Sequence, residues 1–259
     1  MLEQFARTSL LLGEKPLEKL EKSRVAIFGL GGVGGYVLEA LARCGVGSID
    51  IIDNDKFATS NINRQILATF ETIGLNKVDV AEKRIKSINP EIKVYKHQFF
   101  YLPNLQNDLE WDKFDYVIDA IDTIAAKLDI IDKCMQMKIP LISCMGCGNR
   151  IDPSKLRIAD IYETSYDPLS KVIRRECRKR GITSLKVCYS KEEALRPLKP
   201  ITDSSLDLIE SKARRKDIPG SISFVPSVAG LLIAAEVFKD ITKFDRNKRE
   251  ISSDKREKE

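Results

Sequence analysis

The run Val25-Ala26-Ile27-Phe28-Gly29-Leu30-Gly31-Gly32-Val33-Gly34-Gly35 leaves this chain little choice of fold. Its four apolar residues read as a buried strand, the glycines as a tight turn, and Val33 to Cys44 as the helix that follows. A second strand, Ser48 to Ile52, then closes on Asp53. Gly29, Gly31 and Gly34 fit the dinucleotide fingerprint. Their missing side chains permit the turn, close approach of a phosphate, and close packing of helix on strand. The N–H groups that open the helix would face that phosphate. Asp53 follows Gly29 by 24 residues, near the usual spacing of about 20 at which a carboxylate holds a ribose hydroxyl. The pattern predicts an adenine-nucleotide site without saying which nucleotide, NAD being the commonest.

Strand and helix signals alternate as far as residue 145, which predicts βαβ units and a mainly parallel sheet. Strands are expected at Arg24–Phe28, Ser48–Ile52, Ile92–Phe99, Tyr116–Ile118 and Leu141–Ser143, with helices at Val33–Cys44, Lys77–Ile88 and Ala125–Met137. Leu2 to Lys22 reads as a helical arm outside the sheet. Beyond Gly146, strands are expected at Leu156–Tyr162 and Leu185–Tyr189 around a basic helix from Pro168 to Arg180. Ser190 to Gly220, with three prolines and many charges, reads as a long crossover loop before an apolar helix, Ser227–Phe238. The expected fold is therefore α/β and Rossmann-like: a mixed, mainly parallel sheet with flanking helices, an N-terminal helical arm and a C-terminal β and crossover-loop extension. One domain spans 1–242, with a nucleotide-binding core over 23–150 and a substrate and crossover part over 151–242; 243–259 reads as a charged flexible tail.

With 259 residues, 43% hydrophobic and 31% charged, the chain can bury a substantial core, and a net charge of +5 allows a polyanionic partner. No secretory h-region opens the sequence, and the longest apolar run, Val225 to Phe238, is shorter than the roughly 20 residues of a membrane span. A cytoplasmic protein without a membrane partner is expected. Cys144 and Cys147 form a CxxC without a second pair, and His97 is the single histidine, so no zinc is expected. The two cysteines read as loop and core packing, and chemistry based on histidine is disfavoured. Carboxylates, arginine, lysine and a nucleotide remain.

Such groups recur after the second strand. Asn54-Asp55 follows Asp53, then Asn61-Ile62-Asn63-Arg64-Gln65, then Gly74-Leu75-Asn76-Lys77, and Asp119-Ala120-Ile121-Asp122 ends the fourth strand. Ligands of open α/β sheets sit at the carboxyl ends of strands. Cations for phosphates and carboxylates for a ribose and Mg²⁺ suit nucleotidyl transfer better than hydride transfer. Lys77 opens a helix, where its charge opposes the macrodipole, which points to a bound anion. Asp119 can be read as structural, with Asp122 as the ligand contact.

In this order and spacing, GLGGVGG, IIDND, NINRQ, GLNK and DAIDT resemble the ubiquitin-activating-enzyme superfamily of adenylating enzymes. The resemblance implies that Gly29, Gly31, Gly32 and Gly34 cradle ATP and that Asp53, with Asp55 beside it, holds the ribose. It further implies that Asn61, Arg64, Gln65 and Lys77 line the phosphates and that Asp122 binds Mg²⁺ or flanks the reacting phosphate. Arg64, Lys77 and Asp122 become the catalytic candidates. Arg7, in the arm, would reach ATP across a homodimer interface.

Within the superfamily, Ile139–Ile142, Met145–Pro153, Tyr189–Glu192 and Gly220–Ser227 resemble the tRNA threonylcarbamoyladenosine dehydratases, a likeness covering residues 3 to 240. It implies ATP-dependent adenylation of the threonyl carboxylate, followed by ring closure with release of AMP. A sulfur-mobilising accessory protein is a possible partner. Lys171–Arg180 carries six basic residues and one acidic. Taken alone, such a helix is a solvated face; with a tRNA substrate, Lys171, Arg174, Arg175 and Arg178 become candidate phosphate contacts, and Arg214-Arg215-Lys216 could add to them. The rival reading is adenylation of the C-terminal Gly-Gly of a small sulfur-carrier protein. Against it stand the missing zinc cysteines, and the absence of any cysteine from Ser190 to Pro226 argues against thioester transfer. A nucleotide-sensing scaffold is a second rival, disfavoured by the joint presence of Arg64, Lys77 and Asp122.

Overall fold

A computed structural model describes residues 3–103, 109–198 and 219–244. The crossover-loop residues 199–218, with Arg214, Arg215 and Lys216, and the tail from 245 lie outside the described residues. Seven strands form one sheet: β1 (Arg24–Phe28), β2 (Ser48–Ile52), β3 (Lys93–His97), β4 (Tyr116–Asp119), β5 (Leu141–Cys144), β6 (Leu156–Asp160) and β7 (Lys186–Ser190). Their order is β3-β2-β1-β4-β5-β7-β6, parallel except for β6 against β7. After β1 the chain winds outward through β2 and β3, then returns to add β4 on the other side of β1. The C-terminal ends of β1 and β4 therefore border the switch point, where such sheets bind ligands.

The central strands are apolar because both faces are covered: β1, β4 and β5 are buried along nearly their whole length. One face carries α3 (Gly34–Cys44), α4 (Lys77–Ile88) and α7 (Phe224–Thr242), with Val37, Leu41, Ala81, Ile85, Ile233 and Val237 in its core. The other carries α5 (Ile124–Met137) and α6 (Pro168–Lys179), where Phe28, Trp111, Ile130, Ile173 and Val187 pack. No described helix is long and apolar enough to cross a membrane.

Four local departures from the sequence reading have local causes. The arm is two helices, α1 (Ala6–Leu12) and α2 (Glu14–Lys22), because Gly13 at φ 77° breaks it. Strand β3 is shorter at both ends than the expected Ile92–Phe99, an exposed edge carrying Lys93 and Lys96. The strand from Leu156 stops at Asp160, whose carboxylate accepts the Tyr162 N–H and starts a 3-10 turn. Helix α7 begins at Phe224, before Pro226, since a proline in the first turn forfeits only an N–H without an intrahelical acceptor.

Candidate nucleotide site

The glycine loop is locked by backbone contacts that exclude side chains. The Gly29 N–H donates to Ile52 O on β2 at 2.8 Å, and Gly29 sits at φ 90°. A Cβ on Gly34 would lie 1.8 Å from Gly29 O, so the start of α3 touches the end of β1. That contact aims the first N–H groups of α3 into the crevice. Asp53 holds the loop from the neighbouring strand: it accepts the Leu30 N–H at 2.7 Å and the Asp55 N–H at 2.8 Å.

Lys77 joins the same group. Its Nζ donates to Asp55 at 2.9 Å and lies 3.7 Å from Asp53, with only 7% of its side chain exposed. A lysine is rarely buried to this degree unless paired. Burial pushes the Asp53 carboxyl upward, opposed by the Lys77 charge and the Leu30 and Asp55 N–H groups.

The NINRQ segment covers the loop from above. A Cβ on Gly32 would meet Arg64 Cγ at 3.5 Å, and one on Gly31 would meet the Gln65 amide at 3.9 Å. The Arg64 guanidinium is steadied by Ser60 O and Asn63 Oδ1, both at 2.9 Å. Asn61 commits its side-chain oxygen to the Ala58 N–H. Gln65 Oε1 is buried without a partner among the described residues, an arrangement costly unless a ligand completes it. Asp122 is exposed, taking one long bond of 3.4 Å from Thr123. The structure thus brings Gly29, Gly31, Gly32, Gly34, Asp53, Asp55, Asn61, Arg64, Gln65 and Lys77 to the glycine loop, with Asp122 at the adjoining end of β4.

The remaining sequence candidates lie elsewhere. Arg7 is exposed on α1, whose preceding residue Phe5 rests on Gly45 at the far end of α3. An 11-residue helix puts that point about 16 Å from the loop. On α6, Lys171, Arg175 and Arg178 are exposed, but Arg174 is turned inward and donates to Thr164 O at 2.8 Å and to the Thr164 hydroxyl. The single histidine, His97, pairs with buried Asp50 at 2.8 Å, which also takes Arg24.

Sequence reasoning missed Lys127. Its fully buried ammonium donates to Asp119 at 2.9 Å and to Cys144 O at 2.7 Å, tying the ends of β4 and β5 together. Asp119 in turn accepts the Ser143 hydroxyl and, at 3.3 Å, the Ile121 N–H, so it fixes the turn that carries Asp122. The missed signal was a lysine on the apolar stripe with Ile130, Ile131 and Cys134.

A glycine loop at the switch point of a doubly wound sheet, with a carboxylate, an arginine and a buried lysine around it, defines a Rossmann-like nucleotide-binding protein. Residues 4–255 match the ThiF family, and the chain belongs to it. It is 42% identical over 94% of its length to the tRNA threonylcarbamoyladenosine dehydratase of Bacillus subtilis strain 168, covering 96% of that protein. It also superimposes on the Escherichia coli tRNA N6-threonylcarbamoyladenosine dehydratase in complex with AMP, with a TM-score of 0.82 and 30% identity over 93% of this chain and 94% of that one. The ATP complex of the same enzyme gives a TM-score of 0.79 over the same shares.

Proposed function

We propose that this chain uses ATP to dehydrate threonylcarbamoyladenosine in tRNA. The supporting observation is the set of Asp53, Arg64, Gln65 and Lys77 around one glycine loop, in a chain that aligns end to end with a dehydratase of that name. The threonyl carboxylate attacks the α-phosphorus of ATP, forming a C–O–P link as the α–β bond breaks and pyrophosphate leaves. Attack by the carbamoyl group on the activated carbonyl then closes the ring and expels AMP, so that one water is lost overall.

The start of α3 and the cations Arg64 and Lys77 offset charge on the phosphates, and Asp53 orients the ribose. Both cations are pre-positioned, Lys77 by Asp53 and Asp55 and Arg64 by Ser60 and Asn63, so little reorganisation accompanies binding. Asp122, exposed and weakly engaged, fits a role in holding Mg²⁺ with ATP. When bound, the ion neutralises phosphate charge. In this reading Arg7, exposed on α1 beside the far end of α3, serves the ATP site of a second copy of the chain, and the active form is a homodimer. Lys171, Arg175 and Arg178 form the exposed basic face offered to tRNA phosphates in the cytoplasm.

The test is incubation of pure protein with Mg²⁺, ATP and tRNA bearing threonylcarbamoyladenosine, followed by mass spectrometry of the nucleosides. Loss of one water with matching AMP release is the expected result. Unaltered nucleoside, with pyrophosphate exchange only when a Gly-Gly carrier protein is supplied, would overturn the reading in favour of sulfur-carrier activation.

A further inference from the structure

The CxxC lies where the sheet meets the crevice. Cys144 is the last residue of β5 and is 4% exposed; Cys147, three residues on, is only partly buried. Their sulfurs are 3.8 Å apart. A third sulfur, that of fully buried Cys188, sits on the strand position paired with Cys144. Two cations face this group: Lys127, bonded to Cys144 O, and Arg150, whose buried guanidinium is anchored on Gly148 O. The S–H of Cys147, the neighbouring Cys188 and the charges of Lys127 and Arg150 hold the Cys144 thiol below its ordinary range.

The loop that carries Cys147 is not isolated. A Cβ on Gly148 would lie 2.6 Å from the Pro219 side chain. Asn149 exchanges two 2.7 Å bonds with Gly220, its N–H donating to Gly220 O and its Oδ1 accepting the Gly220 N–H. The next residues reach the nucleotide loop: Ser221 O accepts from Asn63 at 3.1 Å, and Pro226 packs on Gly32. A movement of Cys147 is therefore passed through residues 219–226 to both sides of the Arg64 segment.

We propose that Cys144 and Cys147 form a reversible disulfide that switches this site off under oxidising conditions. Hydrogen peroxide is the oxidant. The Cys144 thiolate attacks one peroxide oxygen, an S–O bond forms, the O–O bond breaks, and the departing hydroxide leaves as water with a proton. The Cys147 sulfur then attacks the sulfur of the Cys144 sulfenic acid, the S–S bond forms as the S–O bond breaks, and the departing hydroxide leaves as the second water with the Cys147 proton. Two thiols are oxidised and one peroxide is reduced to two waters. Closing the sulfurs from 3.8 Å to the roughly 2 Å of a disulfide draws Cys147 inward and pulls Gly148 and Asn149 from Pro219 and Gly220. Cys188 is the less suited partner, since it is fully buried on a neighbouring parallel strand.

Trypsin releases both cysteines in one peptide, Ile139–Arg150. After treatment of the full chain with peroxide, that peptide should be lighter by two hydrogens and refuse iodoacetamide until dithiothreitol is added. Exchange of the Asn149 and Gly220 amides should quicken in the oxidised protein. Turnover should fall on the order of tenfold or more and return on reduction, while Cys147→Ser stays active and peroxide-insensitive. A peptide that keeps both free thiols, or a disulfide that leaves amide exchange and turnover unchanged, overturns the proposal. The peptide mass and the amide exchange are read without any substrate, so failure of the tRNA reaction in the reduced protein would strike the proposed function and not the switch.

Discussion

Burial pushes the Asp53 carboxyl above its ordinary 3.8, and Lys77 and two backbone N–H groups oppose that shift without cancelling it. A raised folded value means that the folded state holds the proton more tightly. The stability this group contributes is complete below 3.8 and is lost as pH rises through the raised value. Urea melts over this range should show that decline in the wild type and a flatter profile in Asp53→Asn, which should also bind ATP more weakly. Arg64→Ala and Asp122→Ala should each lower AMP release by a factor on the order of a hundred or more while leaving the thermal midpoint nearly unchanged, since neither side chain belongs to the core. Lys127→Met is expected to behave oppositely. It removes the counter-ion of the fully buried Asp119, at a cost of about 3–5 kcal/mol that denaturant titration would measure. That Asp53, Arg64 and Lys77 gather at the glycine loop was approachable from sequence because ordered motifs carry them. The Lys127–Asp119 pair was not, because a lysine in a helix is by default read as solvated and only packing reveals it as buried.

Helix α6 separates two kinds of positive charge that composition cannot distinguish. Asp167 caps it and Pro168 opens it, so its start was legible. Which arginines face solvent depends on the rotation of the helix against β7 and the 3-10 turn after β6. Neutralising Lys171, Arg175 and Arg178 together should weaken tRNA binding and reduce its salt dependence by up to about three units of slope, with ATP binding spared. Arg174→Ala should instead loosen the Ile161–Thr164 turn and lower the melting temperature, with little effect on that slope. Gel shifts across a salt series, run beside thermal melts, would tell the two apart.

Across the whole molecule, the strand alternation predicted the mainly parallel sheet, whereas the crossover back to β4 that makes the glycine loop a switch point came only from the structure. The place of β7 between β5 and β6 was hidden, because strand order at a sheet edge depends on which connection can reach, and local pattern does not encode that. Quaternary contacts leave even less trace in a single chain. If Arg7 acts on the opposite protomer, a mixture of Arg7→Ala and Arg64→Ala chains, each inactive alone, should regain about a quarter of wild-type turnover through hybrid dimers. Absence of recovery after co-expression would place Arg7 at its own protomer's site, and an Arg7→Ala chain that is active alone would place it outside the reaction.

The late insertion of β7 also bears on how the chain is made. A ribosome delivers β1 to β5 first, and these can pair in the order β3-β2-β1-β4-β5 as they emerge. The free side of β5, Leu141–Cys144, then stays uncovered until Lys186–Ser190 has been synthesised. During that interval the nascent chain presents a buried-type apolar edge to its surroundings, the kind of surface that chaperones bind and that pairs with other chains. A chain stalled or truncated within that window is expected to aggregate, whereas one that has passed Ser190 is shielded by its own antiparallel β6–β7 pair.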